Sequence, residues 1–136
     1  MKIYFAGSIR GGREKVEDYK KIISILSGYG EVLTEHIGDT SLSSLGEQTK
    51  TDKEIFERDI SWINEADVVV AEVTVVSLGV GYELGYAEAH SKKIICLYQN
   101  DDGKSLSAMV SGNKNLAVIY YKNIEDFKEK LADYLH

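Results

Sequence analysis

Residues 67–73 read Asp-Val-Val-Val-Ala-Glu-Val, an almost continuous apolar run, and that stretch narrows the choice of fold more than any other. A strand with one wet face alternates apolar and polar residues. A run apolar on both sides needs cover on both, as a central strand of a parallel sheet has. Upstream, Lys2 to Ala6 is a short β-prone run that stops at Gly7-Ser8. From Arg13 to about Ser27, apolar residues at Val16, Tyr19, Ile22, Ile23 and Leu26 fall at helical spacing, and Gly28 and Gly30 close that helix. Glu31 to Thr34 reads as a second strand. A helix follows from about Asp52 to Ala66, with Ile55, Ile60, Trp62 and Ile63 facing inward.

After the central run, a Gly-rich turn leads to a helix from about Gly81 to Ser91, then a strand from Lys93 to Tyr98. A short helix near Leu106 to Val110, a strand from Ala117 to Tyr121 and a last helix from Ile124 to Leu135 complete the pattern. Strand and helix alternate throughout. The expectation is one α/β domain over residues 1–136, doubly wound on a five-stranded parallel sheet with helices on both faces, Rossmann- or flavodoxin-like. Ligands in such folds sit at the carboxyl ends of the strands, near the reversal of strand order. That rule points to the segments after Ala6, Val73 and Tyr98. The stretch from Gly38 to Thr51, rich in Ser, Thr, Gly and acidic groups, reads as a long loop, a kind that is usually functional or mobile.

The net charge of −6 argues against a protein that grips a nucleic-acid backbone, which needs clustered Lys and Arg. A local site for one small anion is still compatible with an acidic chain. Cys96 is the single cysteine and sits in an apolar run, so no intramolecular disulfide is expected. His36, His90 and His136 lack metal-ligand spacing. No apolar run approaches the ~20 residues of a membrane span. The first strand starts at once, leaving no room for a secretory signal, and the expectation is a soluble cytoplasmic protein with no membrane or nucleic-acid partner.

Three constellations carry chemistry. Gly7-Ser8-Ile9-Arg10-Gly11-Gly12-Arg13 joins the first strand to the first helix. Its glycines permit close backbone approach, its amides favour an anion, and Ser8, Arg10 and Arg13 add donors. It has neither the Walker Lys nor the Gly-x-Gly-x-x-Gly spacing. A flexible turn with exposed arginines would look the same. Ser77-Leu78-Gly79-Val80-Gly81-Tyr82-Glu83 follows the central strand, reads as a second anion nest, and puts Glu83 in the first turn of the next helix. An acidic residue there is commonly only a dipole-favoured surface group. Asp59 shares a helix face with Ile55, Trp62, Ile63 and Ala66, where a charge is costly unless paired or functional. Glu72 is a weaker candidate that also fits as the end of the strand. Two carboxylates beside an anion pocket suit glycosyl chemistry.

Together these segments resemble the 2′-deoxynucleoside 5′-monophosphate N-glycosidases, within the nucleoside 2-deoxyribosyltransferase superfamily. The resemblance runs from Tyr4 to about Met109. It rests on Tyr4-Phe5 with Gly7 to Arg13, Leu33-Thr34-Glu35-His36, Asp59, Ala66 to Thr74, Ser77 to Gly85, and Leu106-Ser107-Ala108-Met109. It implies hydrolysis of a deoxynucleotide to free base and 2-deoxyribose 5-phosphate, with Glu83 as nucleophile and Asp59 assisting the departing base. Tyr4 would orient the nucleophile. Ser8, Arg10, Gly11, Gly12 and Ser77, with the Gly79 amide, would cradle the 5′-phosphate, and Gly7 and Arg13 would belong to the same substrate site. Ile9, Ile22, His36 and Trp62 would wall the base pocket. Ser107 would be lent to the neighbouring site of a homodimer, and Ala108 and Met109 beside it would also bind substrate. No metal or organic cofactor is implied. A base-swapping deoxyribosyltransferase, a ribonucleotide N-glycosidase of the cytidine monophosphate type and a non-catalytic nucleotide-binding module are the competing readings.

Overall fold

In the computed structural model, which describes residues 1–9, 15–38, 47, 49–99 and 106–135, five strands lie side by side in the order β2-β1-β3-β4-β5. They are β1 (Lys2–Ala6), β2 (Glu31–Val32), β3 (Val68–Glu72), β4 (Lys93–Gln99) and β5 (Ala117–Tyr121). Every pairing is parallel. All five residues of β3 are buried, the outcome its unbroken apolar run required.

Parallel neighbours need crossovers, and the helices supply them. They are α1 (Val16–Leu26), α2 (Asp52–Glu65), α3 (Leu78–Ala89), α4 (Ala108–Ser111) and α5 (Ile124–Leu131). Alternation along the strands splits the core in two. Ile3, Phe5, Val68 and Val70 pack with Tyr19, Ile22 and Leu26 of α1 and Phe127 and Leu131 of α5. Tyr4, Ala6, Val69 and Ala71 pack with Ile63 of α2 and Val80, Leu84 and Ala87 of α3. Strand order reverses between β1 and β3, so the segments after Ala6 and Glu72 meet at the switch point where such folds bind ligands.

Three local expectations are corrected. The second strand stops at Val32 because Thr34 turns its hydroxyl into the ladder. Its Oγ1 donates to the Phe5 carbonyl at 2.6 Å and accepts from the Phe5 amide at 2.8 Å. The chain then enters a one-turn 3-10 helix, Glu35–Gly38. Helix α3 starts at Leu78 and not near Gly81, because Ser77 caps it by accepting from the Val80 amide at 3.3 Å. Gly79 and Gly81 are therefore helical, and Glu83 stands in the second turn. Finally, Ile22 is wholly buried in the core under α1, on the sheet face away from Tyr4, and does not reach the base side of a pocket. Its helical spacing with Tyr19 and Leu26 already fits that core position.

Candidate active site

A cleft of about 770 Å³ opens at the switch point, between α2 and the start of α3. One wall is Ile55, Phe56, Asp59, Ile60 and Ile63 of α2; the other is Val76 to Val80, Tyr82 and Glu83; Gly7 and Ile9 lie at its floor. The apolar face of α2 thus serves two ends. Ile63 is core, whereas the first half of the helix leaves Phe56 exposed and Ile55 and Ile60 only partly covered. That half is cleft wall. A capping box fixes its start: Thr51 accepts from the Glu54 amide, and the Glu54 carboxylate accepts from the Thr51 amide at 2.9 Å.

The chemistry is at the inner end. Tyr4, almost wholly buried on β1, donates its phenol to Glu83 Oε2 at 2.5 Å. Glu83 as a residue is partly exposed, but its carboxyl end is turned inward onto that phenol. Burial pushes its pKa up to about 7, with the Asp59 charge adding to the rise and the Tyr4 hydrogen bond opposing it. Burial, then the Glu83 charge, keeps the Tyr4 phenol protonated. Asp59 is also raised, chiefly by burial, against the pull of Arg58.

Arg58 organises the outer side. Its Nε and Nη2 donate to Asp59 Oδ1 at 3.0 and 2.9 Å, while Nη1 and Nη2 donate to the two oxygens of Glu47 at 2.7 Å each. The Glu47 hydrogen bonds hold the guanidinium charged, and the same bonds keep Glu47 well below the usual carboxylate range. Arg58 lies 4.7 Å over the Trp62 ring, and Trp62 in turn meets the His36 ring at 5.8 Å. His36 and Trp62 therefore stand beside Arg58 rather than on the cleft wall itself. Sequence reading did not name Arg58 or Glu47. The one available signal was that an arginine immediately precedes Asp59.

At the floor, Gly7 packs so closely on Tyr19 that a Cβ there would come within 3.0 Å of the ring. The Ser8 amide donates to the Tyr19 hydroxyl at 3.0 Å, leaving the Ser8 hydroxyl buried with no partner among the described residues. A buried hydroxyl without a partner is costly in an empty protein and useful to an anionic ligand. Arg10, Gly11, Gly12 and Arg13 lie outside the described residues. Ser77 and Gly79 line the cleft, whereas Ser107 caps α4 beside a second groove of about 370 Å³, shared with Met109 and with Val80, Gly81 and Leu84 of α3. Ala108 and Met109 are exposed there. Cys96 is buried and free, its thiol pushed up to about 12 by burial. No group of three or more His, Cys, Asp or Glu among the described residues is placed to hold a metal ion. No described helix is long and apolar enough to cross a membrane.

The sequence profile of the nucleoside 2-deoxyribosyltransferase family matches residues 3–130. The 5-hydroxymethyl-dUMP N-hydrolase of Danio rerio is 50% identical over 129 residues, covering 95% of this chain and 88% of the relative. The enzyme of the same name from Rattus norvegicus is 55% identical over 111 residues, covering 81% of this chain and 68% of the relative. Among solved structures, the Clostridium botulinum CMP N-glycosidase superposes with a TM-score of 0.66 at 22% identity, over 99% of this chain and all of that one. That likeness speaks for the fold alone.

Proposed function

The chain belongs to the nucleoside 2-deoxyribosyltransferase family, and from that premise we propose that it hydrolyses the N-glycosidic bond of 2′-deoxynucleoside 5′-monophosphates. The observation that carries the proposal is the Tyr4–Glu83 hydrogen bond, which orients Glu83 in a cleft that Asp59 also lines. Family membership alone would fit a base-exchanging transferase equally well. The relatives named for 5-hydroxymethyl-dUMP make that nucleotide the first substrate to try.

Glu83, ionised and oriented by Tyr4, attacks the anomeric carbon. The bond from C1′ to the base nitrogen breaks as a proton passes from Asp59 to the leaving base. A water then adds at C1′ with Asp59 taking its proton, which releases 2-deoxyribose 5-phosphate and restores both carboxyls. A nucleophile with a pKa near neutrality is available at neutral pH, yet a carboxylate in a poorly hydrated site is reactive. Ser8, Gly7, Ser77 and Gly79 receive the 5′-phosphate, helped by Arg10, Gly11, Gly12 and Arg13. Ile9 on the cleft lining meets the base, and His36 and Trp62 act on the site through Arg58, which holds Asp59.

A homodimer completes this reading, with Ser107 lent to the neighbouring site. Support comes from a large exposed apolar rim around both grooves: Val76, Leu78 and Met109 are 90%, 92% and 82% exposed. Patches of that kind usually mark an interaction surface. Gly81 and Gly85 of α3 leave open space on the same helix, where a second backbone can approach closely.

The test is a substrate panel: 5-hydroxymethyl-dUMP, its nucleoside, other deoxynucleotides, and cytidine monophosphate, each followed for free base and sugar phosphate. Deoxynucleotides should be cleaved and the nucleoside should be much slower. Cleavage of the nucleoside at the same rate, with base exchange when a second base is supplied, would move the assignment to the transferase.

A further inference from the structure

Among the described residues, one buried carboxylate takes no part in this mechanism. Glu72 ends β3 with no exposed surface, on the sheet face opposite Tyr4 and Glu83. Its Oε1 accepts from the Thr74 amide at 2.7 Å, and its Oε2 accepts from the Thr74 hydroxyl at 3.0 Å and from the Tyr121 hydroxyl. The Thr74 hydroxyl also accepts from the Gln99 amide at 2.8 Å, and Gln99 Oε1 accepts from Lys15, just before α1. One carboxylate therefore ties together the ends of β3, β4 and β5, within reach of the residue where α1 begins.

The tie has a direction. Two of its three donors are on Thr74, the second residue after β3, in the connection that leads to Ser77 at the start of α3. Glu83 depends on it far less, because α3 is held by its own core residues Val80, Leu84 and Ala87. A buried carboxylate is kept only where enough donors meet it, and here three donors, two of them from Thr74, do so. An ordinary strand end needs no charge in that place.

We propose that Glu72 is a positioning residue for the 5′-phosphate, holding the β3–α3 connection so that the Ser77 side of the cradle stays in place; this rests on the phosphate reading given above. Losing the tie then weakens capture of phosphorylated substrates and leaves the reacting carboxyls where they were.

The test compares wild type and Glu72→Gln on 5-hydroxymethyl-dUMP and on its nucleoside. The variant should raise KM for the nucleotide about tenfold with kcat nearly unchanged, the mark of lost uniform binding. Its kcat/KM on the nucleoside should stay within about twofold of wild type. Tyr121→Phe keeps the ring in the core and removes one donor, so it should shift KM the same way by a smaller factor. It carries the same comparison if Glu72→Gln does not fold. Wild type that prefers the nucleotide, with variants that lose both substrates equally or neither, would overturn the proposal alone. Wild type that treats nucleotide and nucleoside alike would overturn the phosphate reading and this proposal with it.

Discussion

The phenol of Tyr4 and the carboxylate of Glu83 are joined by a 2.5 Å hydrogen bond that links the first strand to the third helix across 79 positions of sequence. The bond does two opposed things. It favours ionised Glu83, and it fixes which oxygen is engaged, leaving Oε1 without that donor. Tyr4→Phe keeps the ring in the core and removes only this donor. A hydrogen bond to a charged group contributes roughly 1.5–3 kcal/mol, so kcat/KM should fall about tenfold to a hundredfold. The acid limb of the pH profile should also move to higher pH, because Glu83 loses the contact that held its pKa down. An unmoved limb would detach Tyr4 from the nucleophile.

Stability should depend on Glu83 with a definite sign. Its pKa is about 7 in the fold against 4.5 for an ordinary glutamate, so the folded protein favours the protonated form. That favourable contribution is complete below about pH 4.5 and is lost as pH rises through 7. Glu83→Gln does not titrate. It should be more stable than wild type at pH 8, by at most about 3 kcal/mol, with the gap closing toward pH 4.5. Denaturant titrations at several pH values check this; a gap independent of pH would contradict it.

Asp59→Asn should harm substrates unequally. If Asp59 protonates the leaving base, a base that departs easily needs little of that help, and a poor leaving group needs all of it. General acid catalysis contributes about a hundredfold to ten-thousandfold. A plot of log kcat against leaving-group pKa should therefore be steeper for the variant than for wild type. Parallel lines would make Asp59 a structural partner of Arg58.

Much of this was legible in the sequence, and the parts that were not share a cause. The all-apolar β3 and the alternation of periods gave the layered parallel sheet, which is a matter of local patterning. The switch point followed from the fold class, and it placed Gly7, Ser77 and Glu83 together. Side-chain geometry across distant segments was not legible. Arg58 bridges Asp59 to Glu47, eleven positions away in a loop with no periodicity, and neither residue advertises the pairing. Glu72 read as a strand end, because its partners Thr74 and Tyr121 become neighbours only when β5 joins the sheet. Ile22 carried two meanings, core and pocket wall, and helical spacing alone favoured the core.

Subunit mixing tests the shared site. When inactive Glu83→Ala and Ser107→Ala homodimers exchange subunits, each heterodimer should regain up to about half the normal activity, because one of its sites carries both defects and the other carries neither. No recovery, with Ser107→Ala alone impaired, would place both residues in one chain's site. A fully active Ser107→Ala would remove that serine from the site.

The central claim is that Glu83 performs the hydrolysis. Release of free base from 5-hydroxymethyl-dUMP by wild type and by Glu83→Gln, at equal concentration and with both shown to be folded, tests it most directly. Wild type should liberate base and 2-deoxyribose 5-phosphate in equal amounts, and the variant should be slower by at least about a hundredfold. Turnover by Glu83→Gln within a few-fold of wild type would contradict the account.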